Sequence, residues 1–300
     1  MTVTLSYINL DTRADRREFF EEQTRRLGLD FKRQSAITPA DLTPDEIARF
    51  CAAGQGIRPV ELACIKSHLA MIEDFVSTGK ALGAFFEDDA LLSDTLPQFL
   101  EDYEDSGGFG YDLIRLDHAR RVRLFPASQT TSTQIAIHEF RSTLTGAAGY
   151  LLTRDAALKL AAYNGWGDRV FDHALYDPFS RPGNLLTRAN VNPALVVQFA
   201  SRGESRENSG IGLSDIDPPP VRKIVSSHKP RHRIANTRTS ISAFARGIRN
   251  ALDHLILLPK GLKSTRVYFK GDSPYCQIDQ KQPGGPVVEG KEGHIDKPSG

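Results

Sequence analysis

The sequence is short of cysteine and of long apolar runs, and each shortage removes a class of protein. Its three cysteines (Cys51, Cys64, Cys276) are odd in number, scattered and free of any CxxC spacing, so neither a disulfide framework nor a zinc site is encoded. That usage suits a reducing, cytoplasmic home. No apolar stretch, Leu255–Leu258 included, approaches the roughly 20 residues that a membrane-spanning helix needs. Met1–Leu10 lacks the basic-then-apolar order of a secretory signal. The glycine–lysine signature of a P-loop and the three-glycine fingerprint of dinucleotide binding are both missing, as is any repeat of 20–50 residues.

What remains is the composition of a globular protein, 40% hydrophobic and 25% charged, which excludes wholesale disorder and a fibrous fold. The net charge of +1 conceals two unlike parts. Residues 1–220 carry 23 Lys and Arg against 31 Asp and Glu, whereas residues 221–300 carry 15 against 6. A boundary near Pro218-Pro219-Pro220 follows. The expected organisation is an α/β domain over 1–220, a basic amphipathic extension over 221–270 and a disordered tail over 271–300 rich in Gly, Pro and Lys.

The acidic part alternates strand and helix. Val3–Leu10 reads as a strand, and Thr12 with Asp15 reads as a cap for a helix running through Phe19 and Phe20 to Leu27, ended by Gly28. Phe31–Ile37 reads as a second strand. Thr43-Pro44-Asp45-Glu46 is a stronger cap, with the hydroxyl at N-cap, proline at N1 and glutamate at N3. After Pro59, Leu62, Ile65, Leu69, Ile72 and Val76 recur at three and four, the stripe of a helix closed by Gly79. Ala81–Phe86, Asp112–Leu116 and Ala147–Thr153 read as strands, and Arg154–Tyr163 as a helix. Such alternation predicts a mostly parallel sheet covered by helices on both faces. Ligands of such sheets sit at the carboxyl ends of the strands, which directs attention to Asn9-Leu10-Asp11, Glu87-Asp88-Asp89, Asp117-His118 and the segment after Leu152.

Of these, Glu87-Asp88-Asp89 carries the most chemistry. The triplet leaves the apolar strand Leu82–Phe86 and runs at once into Ala90-Leu91-Leu92, so it is no solvated face. Crowded carboxylates repel and rise in pKa unless a cation offsets them. A hard divalent ion, Mg²⁺ or Mn²⁺, suits oxygen ligands of this kind. In extended chain Glu87 and Asp89 point the same way, which makes the first and third acids the natural pair. An ion held by one or two carboxylates completes its shell with phosphate oxygens, so a diphosphate-bearing substrate fits. A helix or turn N-terminus that merely favours acids is the plainer explanation, and the buried-strand setting weighs against it.

Three segments, in order and spacing, resemble glycosyltransferase family 25, which includes bacterial lipooligosaccharide galactosyltransferases and collagen galactosyltransferases. Tyr7–Arg17 is similar to the family's opening Ile-Asn-Leu…Arg…Asp-Arg segment, Glu61–Leu69 to its helix ending in Ser-His-Leu, and Ala84–Asp89 to its strand ending in Glu-Asp-Asp. Gly146–Leu152, Phe171-Asp172 and Pro193–Gln198 echo later family segments, and the resemblance covers about residues 3–212. Ala14 stands where the family often has proline, and Val60 where it often has a small residue.

The resemblance implies a GT-A fold, a Rossmann-like sheet binding a nucleotide-sugar with a metal (Mn²⁺ or Mg²⁺) bridging the diphosphate. Glu87 and Asp89 would hold the ion, with Asp88 supporting them or facing the sugar; Asn9 and Asp11 would face base and ribose. Arg16 in the first helical turn would favour phosphate, while Arg13 and Arg17 read better as surface ion pairs. His68, beside the apolar stripe, reads as a structural residue near the nucleotide rather than a proton carrier. Inverting transfer needs a carboxylate to deprotonate the acceptor hydroxyl, and Asp172 is the expected base, with Asp117 and Asp177 as rivals and a helix cap as its plainer role. The expected reaction moves a sugar, galactose first, from a UDP-sugar to a lipooligosaccharide or other glycan acceptor. A non-catalytic nucleotide-sugar-binding scaffold on the same fold is the alternative, and the intact acidic triplet weighs against it.

In the basic part, 12 Lys and Arg between Val221 and Lys270 face only Asp253. Ile241, Phe244, Ile248, Leu252 and Leu255 recur at three and four, with Arg246 and Arg249 elsewhere around the helix. This pattern suits peripheral contact with an anionic membrane, here the inner face, or packing on the domain. Nucleic acid is not the expected partner, because the aromatic and glycine interleaving of RNA modules is missing.

Overall fold

The computed structural model describes residues 2–51, 57–199, 248–249, 251–253 and 255–271. The expected boundary at Pro218–Pro220, the positions Ile241 and Phe244, and the tail 272–300 lie outside the described residues.

The chain opens with β1 (Thr4–Asn9), α1 (Ala14–Arg26), β2 (Lys32–Ser35), α2 (Pro44–Phe50) and α3 (Pro59–Ser77). Next come β3 (Leu82–Glu87), β4 (Ala90–Leu92), α4 (Leu96–Asp105), β5 (Leu113–Arg115), β6 (Ala119–Thr130) and β7 (Ala136–Phe140). The remainder comprises β8 (Gly149–Thr153), α5 (Arg154–Ala161), α6 (Phe171–Tyr176), α7 (Arg181–Asn184), β9 (Arg188–Asn192), β10 (Val196–Gln198) and β11 (Lys263–Val267). Nine strands form one sheet in the order β11-β6-β7-β9-β5-β8-β3-β1-β2, and β10 pairs with β4 beside it.

The fold class is α/β with a large mixed sheet. Parallel pairing, predicted from the strand–helix alternation, holds for β2-β1-β3 and for β5-β9. The other pairs of the sheet are antiparallel. The reason is in the connections: β6 returns as β7 through the tight Thr131–Ile135 turn, which leaves no room for a crossover helix. Because β8 runs against β3, with Leu82 opposite Thr153 and Phe86 opposite Gly149, the segment after Leu152 lies at the far edge from the acids. Its expected place at the ligand end is taken by the start of β8, Gly146–Gly149.

Local signals act as chemistry dictates in most places. Thr43 Oγ1 accepts the Glu46 amide at 3.2 Å while the Glu46 carboxylate takes the Thr43 amide, the reciprocal cap expected for α2. Gly28, at φ +66°, lets the Leu29 amide return to the Thr24 carbonyl and close α1. The Thr12 cap does not form: Arg13 stands at N-cap, and Asp15 is held by the Arg13 guanidinium at 2.8 Å instead. The α3 stripe buries Leu62, Ile65 and Ile72, with Leu69 and Val76 partly covered. Helices α3 and α5 cover one face of the sheet; α1 and α4 cover the other through Phe20, Leu96, Phe99 and Tyr103. At tens of calories per Å² of apolar surface removed from water, these two cores dominate the stability.

Part of the expected extension belongs to this body. β11 pairs antiparallel with β6 as the edge strand, and Asp253 meets Arg141 at 3.0 Å. Arg249 lies over the Phe179 ring at 3.9 Å. The large apolar residues here turn outward: Leu252, Leu255, Ile256 and Leu258 are each more than half exposed. Among the described residues no helix is long and apolar enough to cross a membrane.

Candidate active site

Strand β3 is buried from Leu82 to Phe86 between β1 and β8, and its last residue, Glu87, surfaces at the parallel strands' carboxyl end. Asp88 and Asp89 form the turn into β4. β4 pairs with β10 so that Ala90 lies opposite Gln198, which carries the Gln198 amide onto the acids. Gln198 Nε2 donates to Glu87 Oε2 and to Asp89 Oδ2, 3.3 Å from each, so one nitrogen gathers the first and third carboxylates.

The second acid is treated differently. Asp88 Oδ2 accepts from Asn9 Nδ2 at 2.8 Å, and Oδ1 accepts from Arg16 at 3.2 Å. The same Arg16 nitrogen makes a longer ion pair with Asp89 Oδ2, at 3.8 Å. Burial still holds Asp88 above the usual carboxylate range, with Arg16 and Asn9 opposing. Asp89 has an oxygen, Oδ1, that is buried and has no hydrogen-bond partner among the described residues. Burial, reinforced by Glu87, pushes Asp89 up to about 7; burial, reinforced by Asp117 and Asp88, pushes Glu87 up to about 8. Arg16 opposes both rises without cancelling them, so the Glu87–Asp89 pair stays above the usual carboxylate range.

These acids floor a cleft of about 430 Å³ walled by Asn9, Thr12 and Arg16 on one side, Ile37 and Thr38 on another, and Cys64, Ser67 and His68 of α3 on a third. His68 is buried, stacked on Phe171 with ring centroids 4.1 Å apart, and its Nδ1 lies 3.0 Å from the Tyr150 hydroxyl. Nε2 approaches Glu87 at 3.4 Å, but burial holds the imidazole down to about 3, so the contact is no ion pair at neutral pH. Burial drives the Cys64 thiol far above its ordinary range, so it is no thiolate nucleophile.

Asn9 does not face the cleft as a free amide. Nδ2 is spent on Asp88 and the Arg13 carbonyl, and Oδ1 accepts from Arg33 at 2.9 Å, so Asn9 braces the acids. Asp11 stands exposed at the rim, bound by Arg33 and by Ser35 Oγ at 2.9 Å. Sequence reasoning passed over Arg33, whose signal was only its place on β2 opposite Tyr7. It also left Gln198 without a role, although the Pro193–Gln198 echo named it.

A second cavity, of about 480 Å³, adjoins the first and shares Gln198 as a wall. Asp117 lines it, paired with buried Arg115 at 3.0 Å; Arg115 also donates to the Thr145 carbonyl at 2.9 Å. Gly146, at φ +83°, closes the floor: a Cβ there would meet Asp117 Oδ2 at 3.0 Å. Asp172 lines neither cavity. It sits behind the floor, Oδ2 accepting from the Gly146 amide at 2.7 Å and Oδ1 from the His173 amide in the first turn of α6. Asp177 pairs with Arg169 at 3.1 Å. Of the three, Asp172 alone has no cationic partner among the described residues.

Among the described residues no three His, Cys, Asp or Glu side chains form a ready-made metal cage. The donor set nevertheless fits an ion with two protein carboxylates: Glu87 and Asp89 converge, an Asp89 oxygen is vacant of partners, and hard oxygen ligands suit Mn²⁺ or Mg²⁺.

Residues 4–170 match the model of "Glycosyltransferase family 25 (LPS biosynthesis protein)". Two relatives come from Neisseria. The chain is 27% identical over 254 residues to the lacto-N-neotetraose biosynthesis glycosyltransferase LgtB of Neisseria meningitidis serogroup B, covering 78% of this chain and 92% of LgtB. It is 26% identical over 160 residues to LgtE of Neisseria gonorrhoeae, covering 50% of this chain and 56% of LgtE. Among solved structures, A197 from STIV overlaps 65% of this chain and 83% of its own at a TM-score of 0.35 and 11% identity. The matched span takes in the first strand, the Ser67-His68 helix and the buried acids that floor the cleft, and the chain belongs to glycosyltransferase family 25.

Proposed function

We propose that the chain is a metal-dependent glycosyltransferase on a GT-A-type fold that moves a sugar, galactose first, from a UDP-sugar to a hydroxyl of a lipooligosaccharide-type glycan, with inversion. The observation that carries the reading is the convergent Glu87–Asp89 pair, both acids raised in pKa and Asp89 Oδ1 buried with no hydrogen-bond partner among the described residues, at the strand end where a diphosphate would lie. The names of the LgtB and LgtE relatives supply the acceptor class.

In this reading Glu87 and Asp89 hold Mn²⁺ or Mg²⁺. When bound, the ion supplies positive charge to the departing diphosphate. Gln198 keeps the two carboxylates convergent without contributing a charge of its own. Arg16, anchored on Asp88, presents a guanidinium edge toward phosphate oxygens. The α3 wall of His68, Ser67 and Cys64 excludes water from the sugar side. Asp172 is the proposed base on charge grounds: among the described residues it has no compensating cation, and each oxygen keeps a lone pair after accepting its backbone amide, although it lies behind the floor at Gly146 and not in either cavity. Asp117 lines the second cavity directly, which makes it the rival, but its Oδ2 is committed to Arg115.

The outward apolar residues Leu252, Leu255, Ile256 and Leu258, set beside Lys260, Lys263 and Arg266, support peripheral docking on an anionic membrane, where lipid-linked acceptors would be met.

Calorimetric titration of UDP with and without Mn²⁺, on the native chain and on Asp89→Asn, tests the donor site. Binding that requires metal and is lost in Asp89→Asn is the expected result. UDP binding indifferent to both would make the acids structural and overturn the reading.

A further inference from the structure

The two adjoining cavities differ in sign. The first is floored by three acids, while the second carries Arg115, Arg120 and Arg121 against Asp117 alone. Successive strand residues normally point to opposite faces, yet both Arg120 and Arg121 of β6 line the second cavity. The register explains it. Thr265 pairs with Val122 and Val267 with Ala119, so two residues of β6 face the single Arg266 of β11, a bulge that re-aims the side chains. Arg121 is steadied by Ser264 Oγ at 3.3 Å. Arg120 is exposed and has no hydrogen-bond or ion-pair partner among the described residues.

From this arrangement, which rests on the glycosyltransferase reading above, we infer that the second cavity is the acceptor subsite and that it takes a glycan bearing an anionic substituent, a phosphate monoester or a carboxylate, seated on Arg120 and Arg121. A neutral sugar is satisfied by hydroxyls, amides and carbonyls, and gives two guanidinium groups lining one cavity nothing to neutralise. A phosphate or carboxylate offers the fork-shaped acceptor that guanidinium matches. Gln198, common to both cavities, places the anion-bearing sugar next to the donor end, and the Arg115–Asp117 pair forms the wall behind it.

The test uses three methyl β-glucosides that differ only at C6, one with the free hydroxyl, one oxidised to the uronate and one carrying a 6-phosphate. Their binding to the full chain is read by saturation-transfer NMR with UDP and Mn²⁺ present. The two anionic glycosides should bind at least about tenfold more tightly than the neutral one, as charge-assisted hydrogen bonds predict. The advantage should shrink in high salt and fall several-fold in Arg120→Gln, with Arg120→Lys recovering part of it. The ratio between uronate and phosphate reports which anion the site prefers. Equal binding of all three, no glycoside binding while UDP still binds, or an unchanged preference in Arg120→Gln would each overturn the inference. Failure of UDP itself to bind would instead bring down the donor-site reading, so the two failures are distinct.

Discussion

Asp89→Asn should stabilise the metal-free protein while destroying its donor site. The argument begins with pKa. In the folded chain Asp89 titrates at about 7 against a reference value of 3.8, chiefly because burial disfavours the charged form. An acid raised in the fold binds its proton more tightly there than in the unfolded chain. The unfolded state therefore ionises first as pH rises, and stability falls from about pH 4 until the folded group also ionises near pH 7. At about 1.4 kcal/mol per unit, the ceiling on this cost at pH 8 is about 4 kcal/mol. Asparagine removes the ionisation but leaves a buried amide to satisfy, which takes back ~1–3 kcal/mol. A net gain of ~1–3 kcal/mol at pH 8 corresponds to several degrees in Tm for a chain of this size, and near pH 4, where only the amide cost remains, the variant should melt at or below the native chain. Thermal and urea unfolding in EDTA at pH 4.5 and 8 measure it. Added Mn²⁺ and UDP should stabilise the native chain and leave the variant unmoved. An Asp89→Asn chain that melts lower than the native one at pH 8, or a gain equal at both pH values, would refute the reasoning.

Other outcomes follow from the same geometry. Asp172→Asn should lower kcat by at least about a hundredfold with UDP affinity retained, the size expected of a lost general base; if Asp117→Asn does this instead, and Asp172→Asn does not, the base is Asp117. Serine at Leu252, Leu255 and Ile256 should abolish sedimentation with phosphatidylglycerol vesicles and leave UDP binding intact, whereas equal sedimentation by the triple variant would dismiss membrane docking. Gly149→Ala should cost ~1–3 kcal/mol in urea unfolding, because its Cβ would lie 2.7 Å from Val196 Cγ2 at the junction of β8 and β10. An alanine variant as stable as the native chain would show that β10 moves freely.

Much of this site was legible because its parts are local. Glu87-Asp88-Asp89 follows an unbroken apolar strand, and only a strand end under a covered sheet gives three acids that setting. The α3 helix, its Ser67-His68 step and the Thr43 cap announce themselves by spacing. What could not be read depends on pairing across long separations. Nothing near Gln198 tells it to cover acids 109 and 111 positions earlier; that contact exists because β10 pairs with β4. The short strands β4 and β10 offer three residues each, too few for a period to show. The direction of β8 was equally hidden, since an apolar run reads the same whether its neighbour is parallel or not. Its reversal moved Gly146, rather than the chain after Leu152, to the site. Asn9 was placed at the right strand end, but whether an amide faces ligand or braces a carboxylate is decided by Arg33 and Asp88, neither of them near it in sequence.

The division of labour among the three acids is the main evidence for what the cleft holds. If the fold merely tolerated an acidic turn, the nearest guanidinium would be centred on all three acids. Arg16 instead stands nearest Asp88, at 3.2 Å, and reaches Asp89 at 3.8 Å, while the residue that hydrogen-bonds both Glu87 and Asp89 is a neutral amide. An arginine at position 198 would satisfy the same oxygens and cancel their charge. Glutamine orients them and leaves the charge in place. The arrangement thus keeps two carboxylates convergent, only partly compensated by Arg16, and costly to the empty fold. Such a cost is tolerated where a cation arrives with its ligand, and the proposed diphosphate donor, whose leaving charge must be met in a site shielded from water, would bring one.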